Sequence, residues 1–476
     1  AFAGEEKAEE RERWFGVYGQ MRASPDQTPE GVATVFRQKF PEGFFAHRRA
    51  FGTDGKYGEW LLDKPAVVVI NRTAFVHGGL SPLIGEIGLD GVNVRLIGEM
   101  GLYVQQLEVA YQANALLPTD NFHDHPGLIA RFAPPLDASH DLLRSIDAIK
   151  ELNASDLHSL DGPLWYRGNV VCSELIEYDK LTATLEAIGA DRVVVGHTPT
   201  PGRTVVQRMN GKLVEIDKGM LNNYYGGSAN ALIIDESGGM SVVNQDGETR
   251  VSPKPHPRNV GMRPQGRLSY EQIETLMRNG EITSSRKDKL DRDVYTVSDG
   301  AASVEAVFQK RKGRGFYPEV AAYRLDQLIH LEMVPVAVVR EVDGMDGSLQ
   351  FVPKNWIDES QRQKDGSGGS AWCALPEQWN AMTVWDVLIY NEGRNANNIL
   401  YSMDFWQVML VGHDKGFTTR KGVPPRFERV PYEVGQGWRN ALAELTEESL
   451  TDALSDVMDE KRIRALAARA AALAEK

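Results

Sequence analysis

The chain has 476 residues, of which 42% are hydrophobic and 25% charged, and its formal net charge is −13 at pH 7. This length exceeds one hydrophobic core and predicts two or three domains of ordinary globular composition. The acidic balance argues against nucleic acid as the main partner, because binding to a phosphate backbone requires a basic surface. No stretch reaches the roughly 20 consecutive apolar residues that a membrane span needs.

The two cysteines, Cys172 and Cys373, are far apart in the sequence and fall in different predicted domains. We therefore predict no disulfide framework, and there is no Cys-x-x-Cys pair to indicate a zinc site. The chain begins at Ala1 without a visible signal peptide. The compartment stays open, with a periplasmic or secreted location among the options.

The first 250 residues alternate between helical periodicity and short β runs. The first predicted hairpin turns at Asn71-Arg72 and ends at His77. The second turns at Asn210-Gly211, which is the dipeptide most typical of a tight hairpin. The predicted helical segments are residues 1–65, 94–116 and 139–160, and the predicted β segments are 66–77, 192–217 and 231–244.

A Pro-rich segment at 251–266 predicts an extended linker, and a second domain follows it. In that domain we predict β structure at 294–310 and 334–352 and helices at 318–332 and from about 376. A Gly/Ser loop is predicted at 365–370. It ends in an Ala-rich helix, Glu460–Lys476.

Three short motifs carry candidate chemistry. His77 ends a predicted strand and precedes two glycines, which allow a sharp turn and a close approach of the backbone to an ion. His197 also lies where a strand meets a loop. Arg167 lies between aromatic residues and a glycine, and arginine binds phosphoryl groups in a bidentate manner. Either histidine alone is more often structural, so the hypothesis depends on the combination.

These motifs resemble the second half of the calcineurin-like metallophosphoesterases, in particular the Shewanella-like branch of the PPP phosphatases. The resemblance implies two divalent metal ions (Mn, Fe or Zn), with His77 and His197 as ligands of one ion and Arg167 as a catalytic phosphate-binding residue. Asp217 either orients a ligand from the second coordination sphere or caps a turn. The matching segments are 55–62, 77–80, 162–167, 197 and 216–220.

The family's first three motifs, Gly-Asp-x-His-Gly, Gly-Asp-x-x-Asp-Arg-Gly and Gly-Asn-His-Glu, do not occur in the chain. In the family they supply the ligands of the first metal and the general-acid histidine. We therefore expect an N-terminally truncated chain that is inactive by itself. The full-length protein is predicted to be a phosphomonoesterase acting on a phosphorylated protein or small molecule. The alternative is a non-enzymatic scaffold built from two decayed catalytic folds. Presence of the three motifs upstream of Ala1 would support the enzyme, and their absence would support the scaffold.

The segments that carry a second resemblance are 308–310, 319–323, 391–398 and 412–417. Through them, residues 293–420 resemble the atypical kinase fold shared by phosphatidylinositol kinases, HipA-type kinases and secretory-pathway kinases, in which a strand Lys pairs with a helix Glu. The positions that the resemblance assigns to a catalytic Asp, a magnesium-binding Asp and a strand Lys hold Gly393, Gly412 and Gln309. Losing these charges removes most of what a kinase uses to transfer a phosphoryl group. We predict a pseudokinase with doubtful Mg-ATP binding, and an active kinase that uses Asp414 is the alternative. Its candidate nucleotide-binding residues are Lys310, Glu319, Asn398 and Asp414.

The resulting expectation is an α/β protein. Residues 1–250 would form an incomplete metallophosphoesterase β-sandwich flanked by helices. Residues 251–266 would form the linker, and residues 267–476 an α+β kinase-like domain that regulates the first or recruits its substrate.

Overall fold

The structure, a computed structural model of the chain, describes residues 2–245, 247–251, 268–313, 315–369, 372–403 and 406–476. Up to residue 251 its elements are α1 Ala8–Met21, α2 Pro29–Lys39, α3 Phe44–Ala50, α4 Lys56–Leu62, β1 Val68–Ile70, β2 Thr73–Val76, α5 Pro82–Ile87, α6 Leu89–Gln112, α7 His125–Arg131, α8 His140–Asn153, α9 Gly168–Val171, α10 Glu174–Ala187, β3 Arg192–Val195, β4 Val206–Arg208, β5 Leu213–Glu215, α11 Asn222–Tyr225, β6 Asn230–Ile234, β7 Met240–Asn244 and β8 Gly247–Arg250.

The elements after residue 267 are α12 Tyr270–Asn279, β9 Glu281–Lys287, β10 Asp293–Ser298, β11 Ser303–Lys310, α13 Pro318–Ile329, β12 Ala337–Val342, β13 Met345–Val352, β14 Trp356–Asp358, α14 Glu359–Asp365, α15 Leu375–Leu388, β15 Ile399–Ser402, β16 Val408–Leu410, α16 Gln436–Ala443, α17 Glu447–Leu454 and α18 Glu460–Ala474. The prediction of a mixed α/β fold class is confirmed.

Both predicted hairpins are present. Asn71 and Arg72 have φ angles of 48° and 60°, the left-handed pair that a two-residue turn between twisted strands requires. In the second hairpin, β4 pairs antiparallel with β5. Its connection holds Asn210 at φ 54° and Gly211 at φ 81°, so the Asn-Gly signal located the turn correctly.

The described residues divide into two compact units. The first comprises Ala1–Val68 and Ile87–Leu164, and the second comprises Val69–Glu86 and Trp165–Lys476. In the first unit, α1, α2 and α3 bury a cluster of aromatic residues that includes Trp14 and Phe36. A second cluster lies among α6, α7 and α8 and includes Leu142 and Ile146. The predicted boundaries at residues 250 and 267 stay predictions.

The described residues form four sheets. The order of the first is β1-β2-β3-β5-β4. In it, β2, β3 and β5 run parallel and β4 is antiparallel. A five-stranded antiparallel sheet has the order β12-β13-β11-β10-β9, and two three-stranded sheets are β6-β7-β8 and β14-β15-β16. The parallel arrangement brings the carboxyl ends of β2 and β3 to one edge of the first sheet.

The structure corrects the cysteine prediction. Cys172 and Cys373 form a disulfide with a Cα–Cα distance of 5.5 Å, and both are fully buried. Sequence separation misled the prediction, because packing rather than chain distance decides which thiols meet. Leu175 of α10 belongs to the same hydrophobic core as the buried residues from Tyr270 to Leu473. The segment around Cys172 therefore packs against residues 268–476, called here the C-terminal region.

Several elements lie outside the predicted segments, among them α10, α12 and β9. The prediction of helix from about residue 376 is wrong at β15 and β16, where the chain forms strands. Ser269 and Gln272 form a reciprocal capping box at the start of α12, a signal that the sequence does contain. The predicted linker, apart from Val251, lies outside the described residues. In the described part of the chain, no helix is both long and apolar enough to cross a bilayer.

Candidate functional site

Two imidazole rings meet at the edge of the first sheet. β2 and β3 pair in parallel, with Val76 opposite Val195, so the residues that follow them leave the sheet side by side. The rings of His77 and His197 lie with their centroids 4.4 Å apart, and the amide of Gly196 donates to the carbonyl of His77 at 3.0 Å. The structure thus brings the two predicted ligands together, and their role as metal ligands stays a prediction.

His197 has a φ of 65°, a left-handed conformation that is unfavourable for a residue with a Cβ. Such backbone strain persists only where the surrounding structure enforces it, and it is concentrated at functional sites. Here the strained residue directs its ring toward a second imidazole. The sequence carried no signal for this conformation.

Arg167 lies against the turn that follows His77. A Cβ built on Gly78 would lie 2.3 Å from Nη1 of Arg167, and one built on Gly79 would lie 2.7 Å from the carbonyl oxygen of Tyr166. The sequence analysis explained these two glycines by the close approach of an ion. In the structure, the atoms nearest to them belong to Arg167 and Tyr166. Glycine is needed at both positions because the Arg167 segment occupies the space that a side chain would fill.

Two residues that sequence reasoning missed connect the Arg167 segment to the His77 turn. The Asn169 side chain accepts from the amide of Leu80 at 2.7 Å and donates to Glu177 at 3.0 Å. The hydroxyl of Tyr166 also donates to Glu177, at 2.6 Å. Burial raises the pKa of Glu177, although Lys180 opposes this effect. The two turns therefore form one hydrogen-bonded assembly.

The electrostatic environment favours the neutral form of both imidazoles. Burial lowers the pKa of His77 from its usual 6.5, the charge of Arg167 lowers it further, and Asp217 acts in the opposite direction. The pKa of His197 is lowered by burial and then by Arg167 and His77. Neutral imidazoles have a lone pair available for an ion, and the nearby guanidinium remains charged at neutral pH. The cluster therefore combines two imidazoles with a buried guanidinium, whose Nη1 donates to the carbonyl oxygen of Tyr166 at 2.8 Å.

Asp217 follows β5 and makes the local contact expected of a turn cap. Its Oδ1 accepts from the amide of Gly219 at 2.7 Å. Its charge also acts on His77 and His197. Orientation of a ligand by Asp217 stays a prediction.

The donor set does not complete the predicted two-metal centre. Two imidazoles bind zinc or manganese weakly without further donors. Among the described residues, no group of three or more His, Cys, Asp or Glu side chains is arranged to hold an ion. The described residues therefore place two imidazoles beside a guanidinium and do not by themselves form the predicted two-metal centre.

In the C-terminal region, Glu319 lies in a different environment from that of a kinase. Its carboxylate is fully buried and accepts from the backbone amide of His413 at 2.6 Å and from Gln350 at 3.1 Å. It also lies 2.7 Å from Nδ1 of His413. Burial raises the pKa of Glu319, but the interactions with His413 outweigh this and the pKa is lowered. The contacts named here are thus with an imidazole and two amides, in place of the strand lysine that pairs with this glutamate in an active kinase.

The remaining candidate nucleotide-binding residues are Asn398, Asp414 and Lys310, and each has different surroundings. Asn398 lies against Gly412, where an added Cβ would be 2.8 Å from Nδ2 of Asn398. The carboxylate of Asp414 pairs instead with Lys312 at 2.7 Å. Lys310 is the last residue of β11 and is exposed. The structure therefore brings Asn398 and Gly412 together, while Asp414 is engaged in an ion pair with Lys312.

No protein-family profile matches the chain. A Schizosaccharomyces pombe protein described as uncharacterized is 28% identical over 154 residues, which is 31% of this chain and 45% of that protein. The chain thus spans less than half the length of this relative. A crystal structure of the Golgi casein kinase aligns at a TM-score of 0.30 and 11% identity, covering 43% of this chain and 74% of the other. A TM-score this low does not establish a common fold.

Proposed function

We propose that the chain is part of a metal-dependent phosphomonoesterase of the calcineurin-like type, and that His77, His197 and Arg167 form its phosphate-side cluster. The observation that carries the proposal is the 4.4 Å approach of the two imidazole rings beside a guanidinium packed on Gly78. Under this proposal the first sheet belongs to a metallophosphoesterase β-sandwich. The substrate is a phosphorylated protein or small molecule.

The proposed roles follow from the chemistry of each group. The Arg167 guanidinium would bind two phosphoryl oxygens through parallel charge-assisted hydrogen bonds. The neutral imidazoles would donate lone pairs to a divalent ion such as manganese or zinc. Because the described donors do not complete the metal centre, we expect the chain to bind phosphate without hydrolysing esters.

A phosphate titration tests this proposal. Isothermal calorimetry with inorganic phosphate and Mn²⁺ is expected to show saturable binding to the chain. His77→Ala should weaken it about tenfold or more, because each 1.4 kcal/mol of lost binding is a factor of ten. The control is His140→Ala, which removes an exposed imidazole at the start of α8. Absence of phosphate binding, or equal loss in both variants, would overturn the proposal.

A second proposal concerns the C-terminal region, which we propose is a pseudokinase of the atypical kinase fold. It is supported by the contacts of Glu319 with His413 and Gln350 and by glycine at positions 393 and 412. A kinase needs a base and magnesium-binding carboxylates to position and neutralise the transferred phosphoryl group.

Thermal unfolding with ATP and Mg²⁺ tests this second proposal. A ligand that binds only the native state raises the midpoint in proportion to the logarithm of its concentration. We expect millimolar Mg-ATP to leave the unfolding midpoint unchanged, both in the wild type and in Asp414→Asn. A clear rise in the wild type that Asp414→Asn abolishes would instead support an active site that uses Asp414.

A further inference from the structure

The segment that carries Arg167 is held by the C-terminal region. It continues into α9, a four-residue helix, which is too short to be stable alone. The Gln407 side chain donates to the carbonyl oxygen of Val171 at 2.7 Å. The next residue, Cys172, is bonded covalently to Cys373. The carboxyl end of α9 is thus attached at two points to residues more than 200 positions later in the chain.

A buried arginine adds a third attachment. Arg208 of β4 is fully buried, and its guanidinium donates to the carbonyl oxygens of Asn169 and Cys172. The same guanidinium is paired with the buried carboxylate of Glu332, which also accepts from the amide of Glu174 at 3.2 Å. Burial of an unpaired charge is costly, so Arg208 depends on its ion pair with Glu332 and on the nearby charges of Glu215 and Glu174.

Glu332 is itself held rigidly. Its backbone amide donates to the buried carboxylate of Asp326 at 3.1 Å, and the amides of Met333 and Val334 donate to the same carboxylate at 2.8 Å. The contacts therefore run from α13 through Glu332 and Arg208 to Asn169. Asn169 in turn binds Leu80 in the turn after His77.

We propose that Glu332 and Cys373 are positioning residues of the phosphate-binding cluster, acting through α9 to hold Arg167 against the His77 turn. This inference rests on the proposed function and adds a role for the C-terminal region. In this role, the C-terminal region is a structural part of the site and needs no kinase chemistry of its own. The covalent and ionic attachments act together on a segment that has little intrinsic stability.

Hydrogen exchange of the α9 amides tests the positioning without reference to any ligand. The amides of Val170 and Val171 donate to the carbonyl of Arg167, and that of Cys172 donates to Gly168, each at 2.9 Å. Glu332→Gln should accelerate exchange at residues 170–172 about tenfold or more, because local opening becomes easier. The control is Asp386→Asn, which removes the charge of an equally buried carboxylate that pairs with Arg394.

Cys373→Ser provides an independent variant, because it removes the disulfide while keeping the Arg208–Glu332 pair. We expect it also to accelerate exchange at residues 170–172. Unchanged exchange there in both variants, or the same acceleration in Asp386→Asn, would overturn the inference. If Glu332→Gln fails to fold, Cys373→Ser decides the question.

Phosphate titrations of the same proteins separate the inference from the proposed function. Glu332→Gln and Cys373→Ser should weaken phosphate binding about tenfold or more, by the same conversion as above, and Asp386→Asn should not. If the wild type binds no phosphate, the proposed function fails, while the exchange rates still decide whether the C-terminal region holds α9. If exchange accelerates but phosphate affinity is unchanged, the positioning role in the site is refuted.

Discussion

Arg167→Ala is expected to weaken the binding of inorganic phosphate about 100-fold, the largest effect on ligand binding that we predict. A hydrogen bond to a charged group contributes about 1.5–3 kcal/mol, and a guanidinium offers two of them in the geometry of a phosphoryl group. About 2.7 kcal/mol corresponds to the 100-fold loss. Calorimetric titration of phosphate into wild type and variant measures it.

Two variants make the Arg167 result specific. Arg167→Lys keeps the charge but loses the planar pair of donors, so its affinity should lie between those of wild type and Arg167→Ala. Arg72→Ala makes the same change in net charge on the β1–β2 turn, where the guanidinium is exposed and paired with Asp191. It should leave phosphate binding unchanged. Equal losses in Arg167→Ala and Arg72→Ala would mean that phosphate responds only to overall charge.

Glu319→Ala is expected to lower the free energy of unfolding by about 3–5 kcal/mol, because each buried hydrogen-bond donor that loses its acceptor costs about 1–3 kcal/mol. The substitution leaves the imidazole and backbone amide of His413 buried without their acceptor. Urea denaturation at pH 7 measures the change. The control is Glu392→Ala, which removes an exposed carboxylate paired with Arg420 and should change stability by no more than about 1 kcal/mol.

The Glu319 effect should depend on pH in a defined direction. Its pKa is lowered from 4.5 in the folded state, chiefly through His413 acting against burial. A carboxylate with a lowered folded-state pKa stabilises the protein above its unfolded-state pKa and loses that contribution as the pH falls through the folded-state pKa. The difference between wild type and Glu319→Ala should therefore be complete above pH 4.5 and shrink at lower pH. A difference that grows on acidification would contradict the assignment.

Local sequence features predicted the candidate site in part. The β runs ending at His77 and His197 and the two turn dipeptides are local signals, and both hairpins appear where these signals place them. The approach of the His77 and His197 rings was expected from the phosphoesterase resemblance, because both histidines follow strands that lead to the same predicted metal site. Asn169 and Glu177 were missed, although they connect the two turns, because a buried hydrogen-bond partner has no local pattern.

In the C-terminal region, the kinase resemblance identified glycine at positions 393 and 412, where an active kinase has aspartates. It did not identify His413 as the residue that contacts Glu319. His413 lies 94 positions later and meets Glu319 through packing of α13 against the segment after β16. His413 directly follows Gly412 in the sequence. Its contact with Glu319 could not be predicted, because the sequence does not show which side chain after β16 faces α13.

By itself, the sequence determined many of the helices and strands, the two hairpin turns and the residue types at the ends of β2 and β3. These depend on interactions within a few residues, which periodicity and turn chemistry record. Only the tertiary structure decided that Cys172 meets Cys373, that Arg208 meets Glu332 and that the C-terminal region holds the Arg167 segment. These contacts join residues that are far apart in the chain. Which buried charges and thiols meet is decided by how the elements pack together, and no local sequence pattern records that packing.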